Sequence, residues 1–170
     1  IVRELPAIIG TARGALVLFA SRKQMQGVFD GVEREWRKRV LIQGNLSKQE
    51  TLNKHKSRID DGEPSVLFGL ASFAEGVDLP GAYCGHVIIA KIPCAVPDDP
   101  VEAALSEWIE ARGGNPFMEI SVPDASLRLI QACGRLLRTE EDRGIITLLD
   151  QRLVTQRYGK AILNALPPFR

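Results

Sequence analysis

The sequence predicts an α/β protein in which helices cover both faces of a parallel β-sheet. Two observations lead to this fold class. Five short runs are almost entirely apolar, as expected of strands that are buried on both faces of a sheet. Helical periodicity or turn residues separate these runs, and with 45% hydrophobic residues the 170-residue chain can bury one sizeable core. The predicted strands are residues 15–20, 40–43, 65–70, 85–93 and 145–149.

The helices are predicted from their capping residues and from the spacing of apolar side chains. Ser21 is a suitable N-cap for a helix with an apolar stripe, and Ser47 with Glu50 has the form of a capping box. The capping box begins a polar helix that runs to about Asp60, and we expect residues 72–81 to form a loop after the third strand. The stripe consists of Met25, Val28, Phe29, Val32 and Trp36, and further helices are predicted within 1–12, 101–112, 123–138 and 155–166.

Charge and cysteine content limit the class of function. Lys and Arg number 22 against 21 Asp and Glu, which gives a formal charge of +1. This balance argues against a purely electrostatic nucleic-acid binder but allows a local basic patch. Cys84, Cys94 and Cys133 form no C-x-x-C pair, so we expect reduced thiols in a cytosolic protein and neither a disulfide framework nor a zinc site. No apolar run approaches the ~20 residues that a membrane-spanning helix requires.

Several motifs are missing from the sequence. There is no G-x-x-x-x-G-K-[ST] phosphate loop and no D-E-x-H-like acidic motif, so the chain lacks its own cradle for a nucleotide and its own magnesium ligands. His55 is expected to be solvated on a polar helix face, and His86 to be a structural side chain in a buried strand. Because the chain begins at Ile1 and not at a methionine, we expect residues 1–170 to form a single domain of a longer protein.

Polar side chains share one face of the helix around residue 131. Gln131, Arg135 and Arg138 are spaced i, i+4 and i+7, with Arg128 at the edge of the same face. Two guanidinium groups and an amide that point in one direction are suited to an anionic ligand. An amphipathic surface helix whose arginines are solvated is an equally consistent interpretation of this segment alone.

Further polar segments follow the predicted strands. Ser21 and Arg22 follow the first strand, Gln43 follows the second, and the acidic, glycine-containing segment 75–78 follows the third. In parallel sheets, ligands bind at the carboxyl ends of the strands. These segments are therefore the second candidate site.

The two sites together resemble a known family. Residues 72–81 (SFAEGVDLPG) and 131–138 (QACGRLLR) are similar to motifs V and VI of superfamily 2 helicases, and residues 18–21 stand where motif IV would be. The details resemble the XPD-like branch, including the strand and D-x-R turn of residues 144–152. The resemblance covers essentially the whole chain. It implies a RecA-like, P-loop-NTPase-type domain, the second of two, whose partner domain carries the phosphate loop, the acidic magnesium motif and a four-cysteine iron–sulfur cluster.

The resemblance also implies a role for each candidate residue. Arg135 and Arg138 would be arginine fingers for the γ-phosphate of ATP, and Gln131 would hold the attacking water or the phosphate. The nucleotide would be sensed by Glu75, Gly76 and Asp78. A single-stranded DNA track would be lined by Ser21, Arg22, Gln43, Ser72 and Phe73.

The implied protein is a 5′→3′ DNA helicase of repair or replication, cytoplasmic and nucleoid-associated, with no membrane contact. Its implied cofactors are ATP and Mg²⁺, shared with the first RecA-like domain, and a 4Fe–4S cluster outside this chain. Its implied partners are that first domain, single-stranded DNA at forks, D-loops or R-loops, and a single-strand-binding protein. The alternative is a non-enzymatic module whose arginine face binds a protein or an RNA.

Overall fold

The sheet of this protein has five parallel strands in the order β2-β3-β1-β4-β5. A computed structural model describes residues 1–92, 100–134 and 143–168. The all-parallel sheet with flanking helices confirms the predicted fold class. The strands are β1 (Gly14–Phe19), β2 (Val40–Ile42), β3 (Ser65–Leu70), β4 (His86–Ile89) and β5 (Ile145–Leu148).

Helices connect the strands, as parallel pairing requires. Two predicted caps are confirmed: Ser21 Oγ accepts a hydrogen bond from the backbone N–H of Gln24, and Ser47 and Glu50 form both bonds of a capping box. Residues 81–84 form a 3₁₀ turn and residues 117–121 a π-helical turn. The α-helices are α1 (Leu5–Ile9), α2 (Arg22–Gly31), α3 (Arg34–Arg37), α4 (Lys48–Asp60), α5 (Ala71–Ala74), α6 (Pro100–Ala111), α7 (Val122–Cys133), α8 (Arg152–Thr155) and α9 (Arg157–Asn164).

The chain divides into two compact units, of which the first comprises residues 1–91 and 132–149 and contains the sheet. Every residue of β1 is buried, as its unbroken apolar run predicts. The rings of Phe68 and Phe19 meet edge to face with their centroids 5.0 Å apart, and the Phe29 and Trp36 rings lie 6.5 and 6.4 Å from the Phe68 ring. Such aromatic pairs add to the free energy of burial. Phe68 therefore lies at the centre of the aromatic part of the core.

The second unit comprises residues 92–131 and 150–170 and is helical in its described part. The ring of Phe117 meets the ring of Tyr158 edge-on at 4.9 Å. α8 and α9 approach closely at Gly159, where an added Cβ would lie 2.2 Å from the carbonyl oxygen of Leu153. Glycine is thus required at that crossing because any other side chain would overlap the backbone.

Several expectations from the sequence need correction. His55 is buried, 0% exposed, because it shares a face of α4 with Thr51 and Ile59, one turn away on either side, and this face packs inward. The predicted loop begins with a helical turn, α5. β4 ends at Ile89, before the predicted boundary. The predicted last helix is confirmed as α9, but the short helix α8 that precedes it was not predicted.

Candidate functional site

The carboxyl ends of β2, β3 and β1 lie side by side in that order at one edge of the sheet. Gln43 follows β2, and its Oε1 accepts a hydrogen bond from the backbone N–H of Leu70 at 2.9 Å. The backbone N–H of Gln43 also donates to the carbonyl oxygen of Phe68 at 2.8 Å. The end of β2 is therefore joined to the end of β3 by a side chain as well as by the sheet ladder.

The segment after β1 carries two of the predicted site residues. Ser21 is exposed, and its Oγ already accepts from Gln24 at 3.2 Å as the cap of α2. Arg22 is exposed and reaches toward the end of β2: an ideal Cβ on Gly44 would lie 3.7 Å from its Nη1. Gly44 has φ +105°, a conformation that favours glycine. The exposed Arg22 guanidinium is thus positioned at the carboxyl ends of the strands.

The β3 loop, residues 71–80, leaves the sheet between the ends of β2 and β1. Ser72 is exposed, but Phe73 is only 4% exposed. Its ring lies against Gly69, where an added Cβ would be 2.6 Å from Phe73 Cδ1. The prediction that Phe73 lines a DNA track does not fit this burial, because the ring is already packed inside the domain.

The remaining residues of the β3 loop alternate between buried and exposed. Val77 and Leu79 are buried, whereas Glu75, Gly76 and Asp78 are exposed. Gly76 has φ +69°, and the N–H of Val77 closes the turn by donating to the carbonyl oxygen of Ala74 at 3.2 Å. The apolar residues anchor the loop, and the two carboxylates face outward beside a glycine that allows close approach of a ligand.

The helix α7 ends at Cys133, with Gln131 exposed near its end. Arg135 and Arg138, the other residues of the predicted anionic-ligand face, lie outside the described residues. Arg128, expected at the edge of that face, pairs with Asp124 through Nε at 2.8 Å. Leu129 and Cys133 are buried.

Two histidines and an aspartate have shifted pKa values that reflect packing. Burial lowers the pKa of His55 to about 4, although its Nε2 is bonded to the carbonyl oxygen of Tyr83 at 2.7 Å. Burial also lowers the pKa of His86, whose Nε2 lies 2.8 Å from Thr147 Oγ1. Burial raises the pKa of Asp150, but hydrogen bonds from Arg152 and Ile92 outweigh it and hold the pKa at about 2. His86 is a satisfied structural histidine, as predicted.

The two cysteines that the structure describes do not fit a metal centre. Cys84 and Cys133 are free and buried, and burial raises their pKa values to about 12 and 11. Metal ligation requires thiolates, which this environment disfavours. Cys94 lies outside the described residues. Within the described ranges, no group of three or more His, Cys, Asp or Glu side chains is placed to hold a metal ion.

Lys48 is a site residue that the sequence reasoning missed. It is the first residue of α4, and its Nζ donates a hydrogen bond to the carbonyl oxygen of Glu75 and lies 5.6 Å from the centre of the Phe73 ring. A signal was available, because Lys48 follows the predicted cap Ser47 in the segment that leaves a strand's carboxyl end. Only its partner, 27 residues away, could not be foreseen.

The parallel sheet with polar residues at the carboxyl ends of its strands defines an α/β domain with a candidate ligand-binding edge. The chain belongs to the helicase C-terminal domain family, whose model matches residues 6–169. The chain is 49% identical, over its whole length, to the ATP-dependent DNA helicase DinG of Photobacterium profundum, and 43% identical over 92% of its length to that of Escherichia coli K12. It covers 25% and 22% of these relatives, so it spans about a quarter of their length.

Two solved XPD structures share the fold. An apo XPD structure superposes with a TM-score of 0.74 at 24% identity, covering 96% of this chain and 33% of that one. An XPD helicase structure gives a TM-score of 0.71 at 22% identity, covering 96% and 29%. These likenesses establish a RecA-like α/β fold. In the described part of the chain, no helix is long and apolar enough to cross a membrane.

Proposed function

We propose that this chain is the second motor domain of an ATP-dependent DNA helicase that moves 5′→3′ along single-stranded DNA in repair or replication. The observation that carries the proposal is the 49% identity, across the entire chain, to a protein named ATP-dependent DNA helicase DinG. The exposed polar residues at the strand ends support it, because this edge of a parallel sheet is where ligands bind.

The ATP-facing part of the proposal concerns α7 and the residues that follow it. Hydrolysis develops negative charge on the γ-phosphate, and a guanidinium that reaches the phosphate stabilises this charge. Arg135 and Arg138 have this role in our proposal, and the exposed Gln131 orients the attacking water or the phosphate. ATP and Mg²⁺ are shared with a first RecA-like domain, because the present sequence contains no phosphate loop.

Residues 75–78 of the β3 loop are the second nucleotide contact in this proposal. The exposed carboxylates of Glu75 and Asp78 can accept hydrogen bonds from ribose hydroxyls, whereas they would repel phosphates directly. Gly76 offers its backbone without a side chain in the way. These three residues therefore suit the sugar end of a nucleotide better than its phosphates.

The DNA-facing part of the proposal uses Ser21, Arg22 and Ser72, which are all exposed at the strand ends. A hydroxyl, a guanidinium and a helix start suit phosphate contacts that carry no base information, as translocation along a single strand requires. Gln43 contributes mainly by holding the end of β3, because its side-chain oxygen is occupied by Leu70. Phe73 supports the loop from inside the domain.

The rest of the helicase supplies what these residues lack. We propose that the first RecA-like domain, and a 4Fe–4S cluster with ligands outside this chain, complete the protein, since the buried thiols of Cys84 and Cys133 are unsuited to iron. The substrates we propose are forks, D-loops or R-loops in the cytoplasm, on the nucleoid, with a single-strand-binding protein as partner.

Strand-displacement assays on the full-length protein test this proposal. We expect ATP- and Mg²⁺-dependent unwinding of a duplex with a 5′ single-stranded tail, and none of a duplex with a 3′ tail. The isolated chain is expected to hydrolyse no ATP above background. DNA-stimulated, metal-dependent hydrolysis by the isolated chain, or a full-length protein that hydrolyses no ATP with DNA present, would contradict it.

Titration of the isolated chain with a labelled oligonucleotide tests the DNA track. Weak binding without sequence preference is expected, with a log–log salt slope of about −0.7 per contacted phosphate. Arg22→Ala should reduce affinity and slope, whereas Lys54→Ala, an exposed lysine of α4, should change neither. Tight binding of an RNA or a protein in the absence of DNA binding would instead favour the non-enzymatic module.

A further inference from the structure

Phe73, near the start of the β3 loop, has two neighbours outside that loop, Gly69 and Lys48. On one side its ring packs against Gly69, so closely that an alanine Cβ there would lie 2.6 Å from Phe73 Cδ1. Near the ring lies the ammonium of Lys48, 5.6 Å from the ring centroid and within the range of a cation–π interaction. The ring is 4% exposed, so Phe73 anchors the start of the loop.

Lys48 makes a second contact farther along the same loop. Its Nζ donates to the carbonyl oxygen of Glu75, the last carbonyl before Gly76. Gly76 has φ +69°, and glycine visits both signs of φ with little cost, so the peptide that precedes it can rotate unless something holds its carbonyl. The Lys48 ammonium holds it. The Lys48 side chain thus contacts both Phe73, which anchors the loop, and the Glu75–Gly76 peptide, which lies at the start of the segment that carries the exposed carboxylates.

The position of Lys48 in the chain gives this contact a further consequence. Lys48 begins α4, directly after the capping residue Ser47, and α4 follows the Gln43–Gly44 segment at the end of β2. In the function proposed above, that segment lies beside the DNA strand, whereas residues 75–78 of the β3 loop lie beside the nucleotide. The Lys48–Glu75 hydrogen bond therefore joins the first turn of α4 to the β3 loop.

We propose that Lys48 is a positioning residue that holds the Glu75–Asp78 segment in its nucleotide-binding conformation and links it to the DNA-side end of β2. The proposal rests on the proposed helicase function for its kinetic consequence and on Phe73, Gly69 and Glu75 for its geometry. Lys48 acts through the loop and touches neither the reacting phosphate nor the attacking water. Its effect is expected on KM for ATP and not on DNA affinity.

The test compares three variants of the full-length protein. Lys48→Met keeps most of the side-chain length but removes the ammonium. Lys48→Arg restores a cation, and Lys54→Met removes one charge from the same helix at an exposed position. Each variant is measured for KM and kcat in DNA-stimulated ATP hydrolysis, for DNA affinity without nucleotide, and for amide hydrogen exchange of residues 74–79.

We expect Lys48→Met to raise KM for ATP about tenfold, the size expected for losing a hydrogen bond from a charged donor. Exchange of the 74–79 amides should accelerate, while DNA affinity without nucleotide stays within about twofold of wild type. Lys48→Arg should recover most of the KM, and Lys54→Met should behave as wild type.

Unchanged exchange and unchanged KM in Lys48→Met overturn the proposal. Loss of DNA affinity with normal KM also overturns it, because Lys48 would then be a phosphate contact. If the wild-type protein shows no DNA-stimulated hydrolysis, the helicase function fails, while the exchange measurement still decides whether Lys48 holds the loop.

Discussion

The side-chain oxygen of Gln43 accepts a hydrogen bond from the backbone N–H of Leu70 at 2.9 Å, and this bond closes the ends of two neighbouring strands. β2 has only three residues, so the sheet ladder between β2 and β3 is short. The Gln43 side chain supplies the acceptor that a longer β2 would have offered to the N–H of Leu70, the last residue of β3. The start of the β3 loop depends on this contact.

Replacing Gln43 by leucine is expected to lower the free energy of unfolding by about 1–2 kcal/mol, because the partly buried N–H of Leu70 loses its acceptor. Gln43→Glu keeps an acceptor of similar shape and serves as the control. Urea unfolding of both variants measures the difference. Equal losses in the two variants would show that the hydrogen bond is not what Gln43 contributes.

His55 makes the stability of the domain sensitive to acid. Burial lowers its pKa from 6.5 to about 4 in the folded state; Arg58 and Lys56 add to this, and the bond to the Tyr83 carbonyl opposes it. Between these two pH values the unfolded chain binds a proton that the folded chain does not. The stabilisation is therefore fully present above pH 6.5 and is lost as the pH falls to 4, by about 3 kcal/mol in total.

Urea unfolding at several pH values between 7 and 4 checks this expectation. His55→Gln cannot titrate, so its free energy of unfolding should be lower at pH 7 but change much less with pH. A smaller slope remains from His86, whose pKa burial also lowers. A variant that keeps the full wild-type slope would assign the acid sensitivity to other groups.

Asp150 stabilises the second unit by accepting hydrogen bonds from a backbone N–H and from an arginine side chain. It accepts from the N–H of Ile92 at 2.9 Å and from Arg152 Nε at 2.9 Å. Its pKa is lowered from 3.8 to about 2, so the stabilisation is present above pH 3.8 and is lost as the pH falls through 2. We expect Asp150→Asn to cost about 2 kcal/mol at pH 7.

The matched control for Asp150 is Asp124→Asn, which removes the half-buried partner of the exposed Arg128. Exposed ion pairs contribute little, so this change should cost less than about 1 kcal/mol. Urea unfolding at pH 7 and pH 3.5 measures both. The Asp150→Asn difference from wild type should shrink at the lower pH. A difference of the same size at both pH values would contradict the assignment to a charged carboxylate.

Arg135 is the residue on which the proposed chemistry most depends. Arg135→Lys keeps the charge but loses the planar, two-pronged donor group, so contact with the γ-phosphate should not survive. In the full-length protein the ATP hydrolysis rate should fall by roughly 10³–10⁵ while folding and DNA affinity are retained. Arg138→Lys should have a similar but smaller effect.

The control for these arginines is Arg128→Lys, in α7 and paired with Asp124. It should hydrolyse ATP at a near-normal rate. Steady-state rates are measured beside melting temperatures and DNA affinity. If Arg135→Lys is folded and turns over near-normally, Arg135 is not an arginine finger. If activity falls only as far as folded protein is lost, its role is structural.

Much of the fold could be predicted from the sequence because its signals are local. Unbroken apolar runs predict strands buried on both faces, and β1 is buried throughout. The cap at Ser21 and the capping box at Ser47 depend on residues only three positions away, and both are present. The polar residues at the strand ends could likewise be placed at one edge of the sheet, because parallel strands end on the same side.

Tertiary structure alone decided which of the polar and aromatic side chains face outward. His55 lies on a helix that reads as polar, yet its partners are Ser65 and the carbonyl of Tyr83, the latter 28 residues away. Phe73 resembles a DNA contact in sequence, yet it is buried against Gly69 beneath the Lys48 ammonium. The periodicity of a segment specifies which side chains share a face. What that face meets depends on the strand order β2-β3-β1-β4-β5, which brings distant segments together and which no local pattern encodes.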